Sequence, residues 1–391
     1  MHLIETYAVN SGSKIGRPYI YPQFFPLPFD KFITLHAGTG MDSKNYDFYA
    51  EVVNLLQDAL ANNEYRIIQL GGKEEAPIEG TINFCGKTTI HQTAYVIERS
   101  ACHISGDTCS MHMAGHFGVP QVALFGSTHP NITGPYWKKD GFCKLLRPVY
   151  TDKKPSYMTK EFPKAINRIH PEDIANAVLE NLAIGDRINI ETLYIGPRYN
   201  NSIIEIVPDA VIPPQILNGM ANIRGDLHFN EENIFAQISM SRSILMVDRP
   251  VDLERLKTLR QNLVLVIYDM KDNPSREFVA ALKREGFQFA MVTEKQDSDL
   301  EALKFQFFEF GMVSQKPSQV KEKIDNHDKI GDNTYYKTKR LILSNGKIFA
   351  STEHWKRGEP VESSRNPVSR VIDTPAFWKE SDTYFIFNRL T

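Results

Sequence analysis

The sequence has few cysteines and no arrangement of them that suits a metal or a disulfide framework. Its 391 residues contain Cys85, Cys102, Cys109 and Cys143, and none of the four belongs to a CxxC pair. Without paired spacing, neither a structural zinc site nor a disulfide scaffold is expected. We therefore interpret the four as free thiols in a reducing compartment.

The sequence also lacks a dominant charge and long apolar runs. Its 45 Lys and Arg against 47 Asp and Glu give a formal net charge of −2, so no broad field attracts nucleic acid or an anionic membrane. No run approaches the roughly 20 apolar residues of a membrane span, and MHLIETYAVNSGSK at the amino terminus does not resemble a signal peptide. The sequence predicts a cytoplasmic protein without a transmembrane segment, and it leaves peripheral membrane contact open.

What the sequence does contain is an alternation of apolar runs and amphipathic segments. In the first half it extends from KFITLHAG (31–38) to PEDIANAVLENLAI (171–184), and in the second half it restarts at RSILMVD (242–248). Such alternation predicts parallel sheets covered by helices on both faces. A chain of this length suits two domains. We predict an α/β protein with two Rossmann-like domains, 1–190 and 191–391.

Residues 320–391 predict a different organisation. Asn345-Gly346 lies between two apolar-patterned segments, which is the strongest short-range signal for a β-hairpin. The stretch HWKRGEPVESSRNPVSR (354–370) is polar and carries four Lys and Arg beside Trp355. We interpret it as an irregular surface loop, and its basic side chains leave contact with an anionic acceptor or a donor phosphate open.

The stretch HISGDTCSMHMAGHFGVPQVALFGSTHP (103–130) combines a polar turn, a small-residue helix and a buried strand. In an open parallel sheet, ligands bind beyond the carboxyl ends of the strands, where a helix amino terminus can hold a phosphate. Thr108 offers a hydroxyl there, and Asp107 can cap the helix or accept from a ribose hydroxyl. The alternative is structural, because Asp and Thr are ordinary caps and a histidine such as His112 is often a satisfied structural side chain.

The same stretch resembles the signature of glycosyltransferase family 9, the heptosyltransferases of lipopolysaccharide core synthesis. The positions that fit this signature are Asp107, Thr108, His112, Ala114, Pro120, Leu124, Phe125, Gly126, Thr128 and Pro130. Upstream, FITLHAGTGMDSKNYDFYAEVVNLL (32–56) is similar to the first strand, loop and helix of the family's donor-binding domain, with Lys44 at the position of its phosphate-contacting lysine. The resemblance covers residues 1–185.

The resemblance implies a GT-B-like architecture and a sugar transfer. Family members place the donor-binding domain second, whereas here it comes first. Either the acceptor domain has been replaced by an unrelated one, or, as we expect, residues 191–391 take the acceptor role in a swapped domain order. The implied reaction is inverting and metal-independent, and moves a sugar from a nucleotide-diphosphate sugar to a glycan or lipid-linked, lipopolysaccharide-type acceptor. Lys44, Asp107, Thr108 and His112 would bind the donor, with no metal or other cofactor.

The resemblance also implies a catalytic base. Gly225-Asp226-Leu227-His228 is similar to the family's base motif, so Asp226 would take the proton of the acceptor hydroxyl. A Gly-Asp pair is also a common turn, and that interpretation stays open. Asp297-Ser298-Asp299 has the spacing of a metal-binding Asp-x-Asp motif, but its place at a helix start favours a cap over a magnesium site.

Two departures from the family pattern matter. Cys109 replaces the glycine expected after Asp-Thr, and its side chain narrows the approach of a diphosphate. Lys73 occupies the position of the family's acidic residue near the nucleoside, with Glu74 and Glu75 following it. The second hypothesis is therefore a non-catalytic binding or assembly protein that retains the fold. A nicotinamide-dependent enzyme is not favoured, because neither half has GxGxxG after its first strand.

Overall fold

The computed structural model describes residues 1–148, 154–217, 220–362 and 367–390. Part of the predicted tail loop, residues 363–366, lies outside these ranges. The chain divides into two compact units, Met1–Ile190 and Glu191–Thr391, and each is described by itself. Over the described ranges, no helix is long and apolar enough to cross a membrane.

The first unit alternates strands and helices over its described residues. Its strands are β1 (Phe32–His36), β2 (Arg66–Leu70), β3 (Ile82–Asn83), β4 (His103–Gly106), β5 (Gln121–Leu124) and β6 (Cys143–Leu146). Its helices are α1 (Leu3–Ser11), α2 (Tyr49–Asn62), α3 (Ile90–Glu98), α4 (Cys109–Phe117), α5 (Pro130–Thr133) and α6 (Pro171–Asn181).

The six strands form one parallel sheet in the order β3-β2-β1-β4-β5-β6. Ile33, Ile68 and Val122 are fully buried, as expected for strands covered on both faces. The strand order reverses between β1 and β4, which pair in a register that sets His36 beside Ser105. The loops after these two strands therefore open side by side, at the switch point where doubly wound folds bind ligands.

The second unit contains a larger sheet and a smaller one. The strands described in it are β7 (Ile190–Ile195), β8 (Ile203–Ile206), β9 (Ala221–Arg224), β10 (Ser243–Val247), β11 (Leu263–Asp269), β12 (Phe289–Thr293), β13 (Val313–Gln315), β14 (Thr334–Thr338), β15 (Arg340–Ser344), β16 (Lys347–Phe349), β17 (Val368–Arg370) and β18 (Tyr384–Arg389). The helices are α7 (Glu231–Met240), α8 (Leu253–Thr258), α9 (Arg276–Arg284), α10 (Asp297–Gln306), α11 (Thr352–Arg357) and α12 (Pro375–Trp378).

The larger sheet has eight strands in the order β13-β12-β11-β10-β9-β8-β15-β16. Its strands run parallel except for the final hairpin of β15 and β16, which pair antiparallel. The hairpin turns at Asn345 and Gly346, whose φ angles of 46° and 70° fit the left-handed conformation that such a turn requires. Helices α7 to α10 bury their apolar faces against this sheet, through side chains such as Ile234, Phe278 and Leu300. The predicted α/β class with parallel sheets is confirmed.

The stretch predicted as an irregular surface loop, 354–370, contains most of α11 and the strand β17. Strands β17, β14, β18 and β7 form a four-stranded sheet, and every pairing described in it is antiparallel. Tyr336, Phe377 and Tyr384 are fully buried in its core. The sequence prediction missed this sheet because the strands that pair in it lie far apart along the chain.

Candidate functional site

The switch point of the first unit gathers polar side chains from several loops. The loop after β1 carries Lys44 in a 3-10 turn, Asp42–Lys44, and the loop after β4 carries Asp107 and Thr108. The loop after β5 adds Thr128, and α5 adds Thr133. All of these segments follow the carboxyl ends of neighbouring parallel strands, which is why they meet at one edge of the sheet.

Asp107 is the centre of this cluster. Its Oδ2 atom accepts hydrogen bonds from Lys44 Nζ at 2.8 Å, Thr128 Oγ1 at 2.8 Å and Thr133 Oγ1 at 2.9 Å. Only 6% of the Asp107 side chain and 16% of the Lys44 side chain are exposed, so this ion pair is shielded from water. Asp107 therefore fixes the Lys44 ammonium at the switch point, and it does not act as the helix cap that the structural interpretation expects.

Thr108 occupies the N-cap position of α4, but its hydroxyl does not cap the helix within the described structure. Thr108 Oγ1 instead lies 2.8 Å from Ser110 Oγ. The first-turn amides of α4 are thus left without a side-chain acceptor, and they carry the partial positive charge of a helix amino terminus. The loops after β1 and β4 border a crevice at the switch point. With Lys44 held next to Asp107, the end of this crevice at α4 is suited to an anion.

A chain of hydrogen bonds joins Ser110 to buried side chains of β1 and β4. Ser110 Oγ lies 2.9 Å from His36 Nδ1 and 3.0 Å from His103 Nε2. The other ring nitrogen of His103 lies 2.9 Å from Thr34 Oγ1. Burial, together with the nearby His36, lowers the pKa of His103 to about 3. His103 is therefore neutral near pH 7, and it orders the hydroxyls behind α4 without adding charge.

Glu75 closes the opposite side of the crevice. Its carboxylate accepts from the backbone N–H of Gly38 at 3.0 Å and of Gly72 at 2.8 Å, and lies 3.5 Å from His36 Nε2. A Cβ atom on Gly38 or Gly71 would come within 2.3 Å or 2.5 Å of the Glu75 Cδ atom, so both glycines are needed to seat this side chain. Burial raises the pKa of Glu75, but hydrogen bonds from His36 and the two amides outweigh burial and lower the pKa overall.

The role of Glu75 was missed by the sequence prediction. Lys73, at the position of the family's acidic residue, is exposed, whereas Glu75 turns back into the crevice. The available signal was the Gly71-Gly72 turn with a carboxylate a few residues later. Thr128 and Thr133 were also missed as partners of Asp107, because they come from loops more than 20 residues further along the chain.

His112 and Cys109 lie at the start of α4 and are both exposed. Desolvation lowers the pKa of His112, and the neighbouring Asp107 carboxylate opposes that effect. The structure thus brings Lys44, Asp107, Thr108 and His112 together around the α4 amino terminus. Cys109, as the first residue of the helix, adds a thiol beside the amides that an anion would contact.

Asp226 belongs to the second unit, in the turn between β9 and α7. Both of its oxygens accept from Arg224, whose Nε and Nη2 atoms lie 2.8 Å away. Arg224 also donates to Glu205 at 2.6 Å, and Glu205 accepts from Arg340 at 2.7 Å. Asp226 is therefore one end of a largely buried ionic network, in which each of its oxygens accepts one hydrogen bond from Arg224.

No group of three or more His, Cys, Asp or Glu side chains within the described ranges could hold a metal ion. Asp297 and Asp299, which have the spacing of a metal motif, lie in the first turn of α10. Gln296 precedes them as the N-cap residue. Among the described residues, neither acidic side chain makes a capping hydrogen bond to the helix.

Comparison with known proteins bears on the first unit. Residues 22–161 match the model of glycosyltransferase family 9 (heptosyltransferase), which confirms the predicted resemblance for this segment. The chain matches no curated protein.

Similar solved structures include a family 9 glycosyl transferase from Veillonella parvula, with 22% identity and a TM-score of 0.33 over 39% of this chain and 46% of that one. The E. coli ADP-heptose heptosyltransferase II has 18% identity and a TM-score of 0.32, over 46% of this chain and 51% of its own. E. coli heptosyltransferase WaaC with ADP has 16% identity and a TM-score of 0.31, over 45% of this chain and 54% of its own. The chain spans about half the length of these structures.

Proposed function

We propose that this chain, whose residues 22–161 match glycosyltransferase family 9, binds a nucleotide-diphosphate sugar at the switch point of its first unit and transfers the sugar to an acceptor. One observation carries the proposal: an α4 amino terminus without a side-chain cap lies beside a lysine that a buried carboxylate holds in place. This pairing of free amides and a positioned cation is the chemistry that binds a diphosphate.

In the proposed donor site, Lys44 and the first-turn amides of α4 contact the diphosphate oxygens. An ammonium has three donors, and Asp107 uses one of them, so the others stay available to a ligand. The same groups would stabilise the negative charge that grows on the diphosphate as the sugar leaves. Thr108 adds a hydroxyl to this contact, and His112 lies on the next turn.

Glu75 is the proposed acceptor for the ribose hydroxyls. Its carboxylate is held at the opposite side of the crevice by two backbone amides and His36. A low pKa keeps it ionised near pH 7, so it can accept hydrogen bonds but not donate them. This placement supports a nucleoside bound with its phosphates toward α4 and its ribose toward Glu75.

The finer parts of the proposal rest on the family resemblance. They are inverting transfer without a metal, a glycan or lipid-linked acceptor, an acceptor role for residues 191–391 in swapped order, and Asp226 as the base. The rival hypothesis, a binding or assembly protein without catalysis, draws support from Cys109 and from the pairing of both Asp226 oxygens with Arg224.

Hydrogen–deuterium exchange of the full chain tests the site without a known acceptor. ADP-, UDP-, GDP- and CDP-sugars are added in turn, and amide protection is mapped by mass spectrometry. We expect one of them to protect peptides that cover 36–45, 71–76 and 105–112. Protection in none of the three regions would contradict the donor site, and added protection at 222–230 would support an acceptor role for the second unit.

Turnover separates catalysis from binding. The sugar nucleotide that protects the first unit is incubated with the chain and no added acceptor, so that water takes the sugar. This hydrolysis yields the free sugar and the nucleoside diphosphate, whose release is followed by 31P NMR. Asp226→Asn should abolish release while leaving amide protection unchanged, whereas Asp332→Asn, at an exposed carboxylate of the same unit, should release it normally. If both variants release the nucleoside diphosphate at the same measurable rate, Asp226 is not the catalytic base.

A further inference from the structure

A groove in the first unit lies apart from the switch-point residues, between strand β6 and helix α6. It encloses about 530 Å³, within the range of small-molecule sites. Strand β6 is the last strand in the order of its sheet, so the groove runs along an open edge. Leu146 and Ala177 form part of its apolar lining. The groove is open to solvent, so a ligand would lie along it rather than be enclosed by it.

The charges that line the groove are mostly positive. Two carboxylates, Asp173 and Glu180, face four Lys and Arg side chains: Lys144, Arg147, Arg168 and Arg187. Glu180 is already paired with Lys144 at 2.7 Å. In the part of the chain that the structure describes, Arg168 and Arg187 make neither a hydrogen bond nor an ion pair. Two exposed guanidinium groups therefore line the groove beside the Asp173 carboxylate, without a hydrogen bond to it.

We propose that this groove binds a small ligand that carries at least two phosphate or carboxylate groups. A guanidinium presents a planar set of donors that matches either group with two parallel hydrogen bonds. Arg168 precedes α6 and Arg187 follows it, so the two cations approach the groove from different segments. A ligand with two anionic groups can place one of them on each arginine.

The groove and the switch point share no lining residue, but one contact links their neighbourhoods, so a test must distinguish binding at the two places. Arg147 Nη1 lies 2.9 Å from His129 Nε2, and His129 precedes α5, whose Thr133 bonds Asp107. A diphosphate added to the protein could therefore bind at either place. The groove proposal does not depend on the donor site, and variants at the two places distinguish their failures.

The experiment is calorimetric titration of the full chain with inorganic pyrophosphate and, separately, with citrate. The test variant is Arg168→Gln/Arg187→Gln. Its control, Lys14→Gln/Arg66→Gln, removes the same charge from exposed positions of the same unit. Lys44→Met serves as the variant of the switch point. We expect the test variant to weaken binding by about tenfold or more, because charge-assisted hydrogen bonds to both arginines are lost.

The outcomes decide both the proposal and the ligand chemistry. Loss of pyrophosphate binding alone indicates a phosphorylated ligand, loss of citrate binding alone indicates a polycarboxylate, and loss of both supports either class of anion. In each case the control variant and Lys44→Met must still bind the anion whose binding the test variant loses. The proposal is overturned if neither anion binds, or if binding follows Lys44 and is unchanged in the test variant.

Discussion

Breaking the ion pair between Lys44 and Asp107 should reveal a strong energetic coupling within the first unit. Nζ and Oδ2 are 2.8 Å apart, and both side chains are largely shielded. With an effective dielectric constant of about 20, the Coulomb attraction at this distance is about 6 kcal/mol. Desolvation of the two charges offsets much of it, so we expect a net coupling of about 2 kcal/mol.

A double-mutant cycle measures this coupling. Asp107→Asn leaves a shielded ammonium without its counter-charge and should cost about 3 kcal/mol of unfolding free energy. Lys44→Met leaves the carboxylate with its two threonine donors and should cost about 2 kcal/mol. The double variant should lose about 2 kcal/mol less than the sum of the two single losses.

The unfolding of each unit can be followed separately with fluorinated tryptophan. The chain has three tryptophans, of which Trp137 lies in the first unit and Trp355 and Trp378 in the second. Urea titration with 19F NMR detection of Trp137 therefore reports the first unit alone. A control cycle at Lys31 and Glu64, an exposed pair 3.3 Å apart, should show little or no coupling. Additive losses at Lys44 and Asp107, within about 0.5 kcal/mol, would refute the reasoning.

Three further outcomes follow from the structure. Because His103 has a folded pKa of about 3, below its unfolded value of about 6.5, the unfolded state binds more protons between these values. The stability of the first unit should therefore fall as pH drops from 6.5 toward 3, by up to about 1.4 kcal/mol per pH unit. In urea titrations at several pH values, His103→Gln should flatten this slope, and an unchanged slope would contradict the assignment. Iodoacetamide at pH 8 should label exposed Cys109 before buried Cys102, whose pKa burial raises to about 12, and mass spectrometry showing the reverse order would be incompatible with the fold. Gly346→Ala should cost the second unit about 1 kcal/mol, because φ at this residue is 70°, and a neutral effect in urea unfolding would exclude the turn conformation.

The parallel sheets could be predicted from sequence because their strands are buried on both faces. The run Leu263–Asp269 is apolar except for its last residue, and Phe32–Leu35 has one polar residue, Thr34, so their character is visible in a few consecutive residues. The switch-point position of Asp107 and Thr108 followed from the same logic, since a polar turn between a buried strand and a helix marks the end of the sheet where ligands bind.

The partners of the site residues could not be predicted, because they depend on contacts between distant loops. Nothing near Asp107 in the sequence indicates that Thr128 and Thr133 will reach its carboxylate. The pairing of Asp226 with Arg224 is local, yet the residues that bury Arg224 come from β8 and β15. Whether a carboxylate is free or paired is therefore a property of tertiary packing rather than of a motif.

The antiparallel sheet of the tail shows the same limit in the fold. Strands β14 and β18 pair Thr334 with Asn388 and Thr338 with Tyr384, across a stretch that also contains α11 and α12. The run Tyr384–Phe387 of β18 is wholly apolar or aromatic, but nothing in it indicates which strand it pairs with. The pairing places Tyr336 near Tyr384, with 4.5 Å between the ring centroids.

Calorimetric titration with ADP, UDP, GDP and CDP is the most direct test of the donor site. It is repeated on Lys44→Met and Thr108→Ala, with Lys31→Met as the control for loss of an exposed lysine of the same unit. We predict that one nucleotide binds, that both site variants weaken it, that Lys44→Met does so by about tenfold or more, and that the control does not. If no nucleotide binds, or if Lys44→Met and Lys31→Met bind equally well, the switch point is not a nucleotide-diphosphate site.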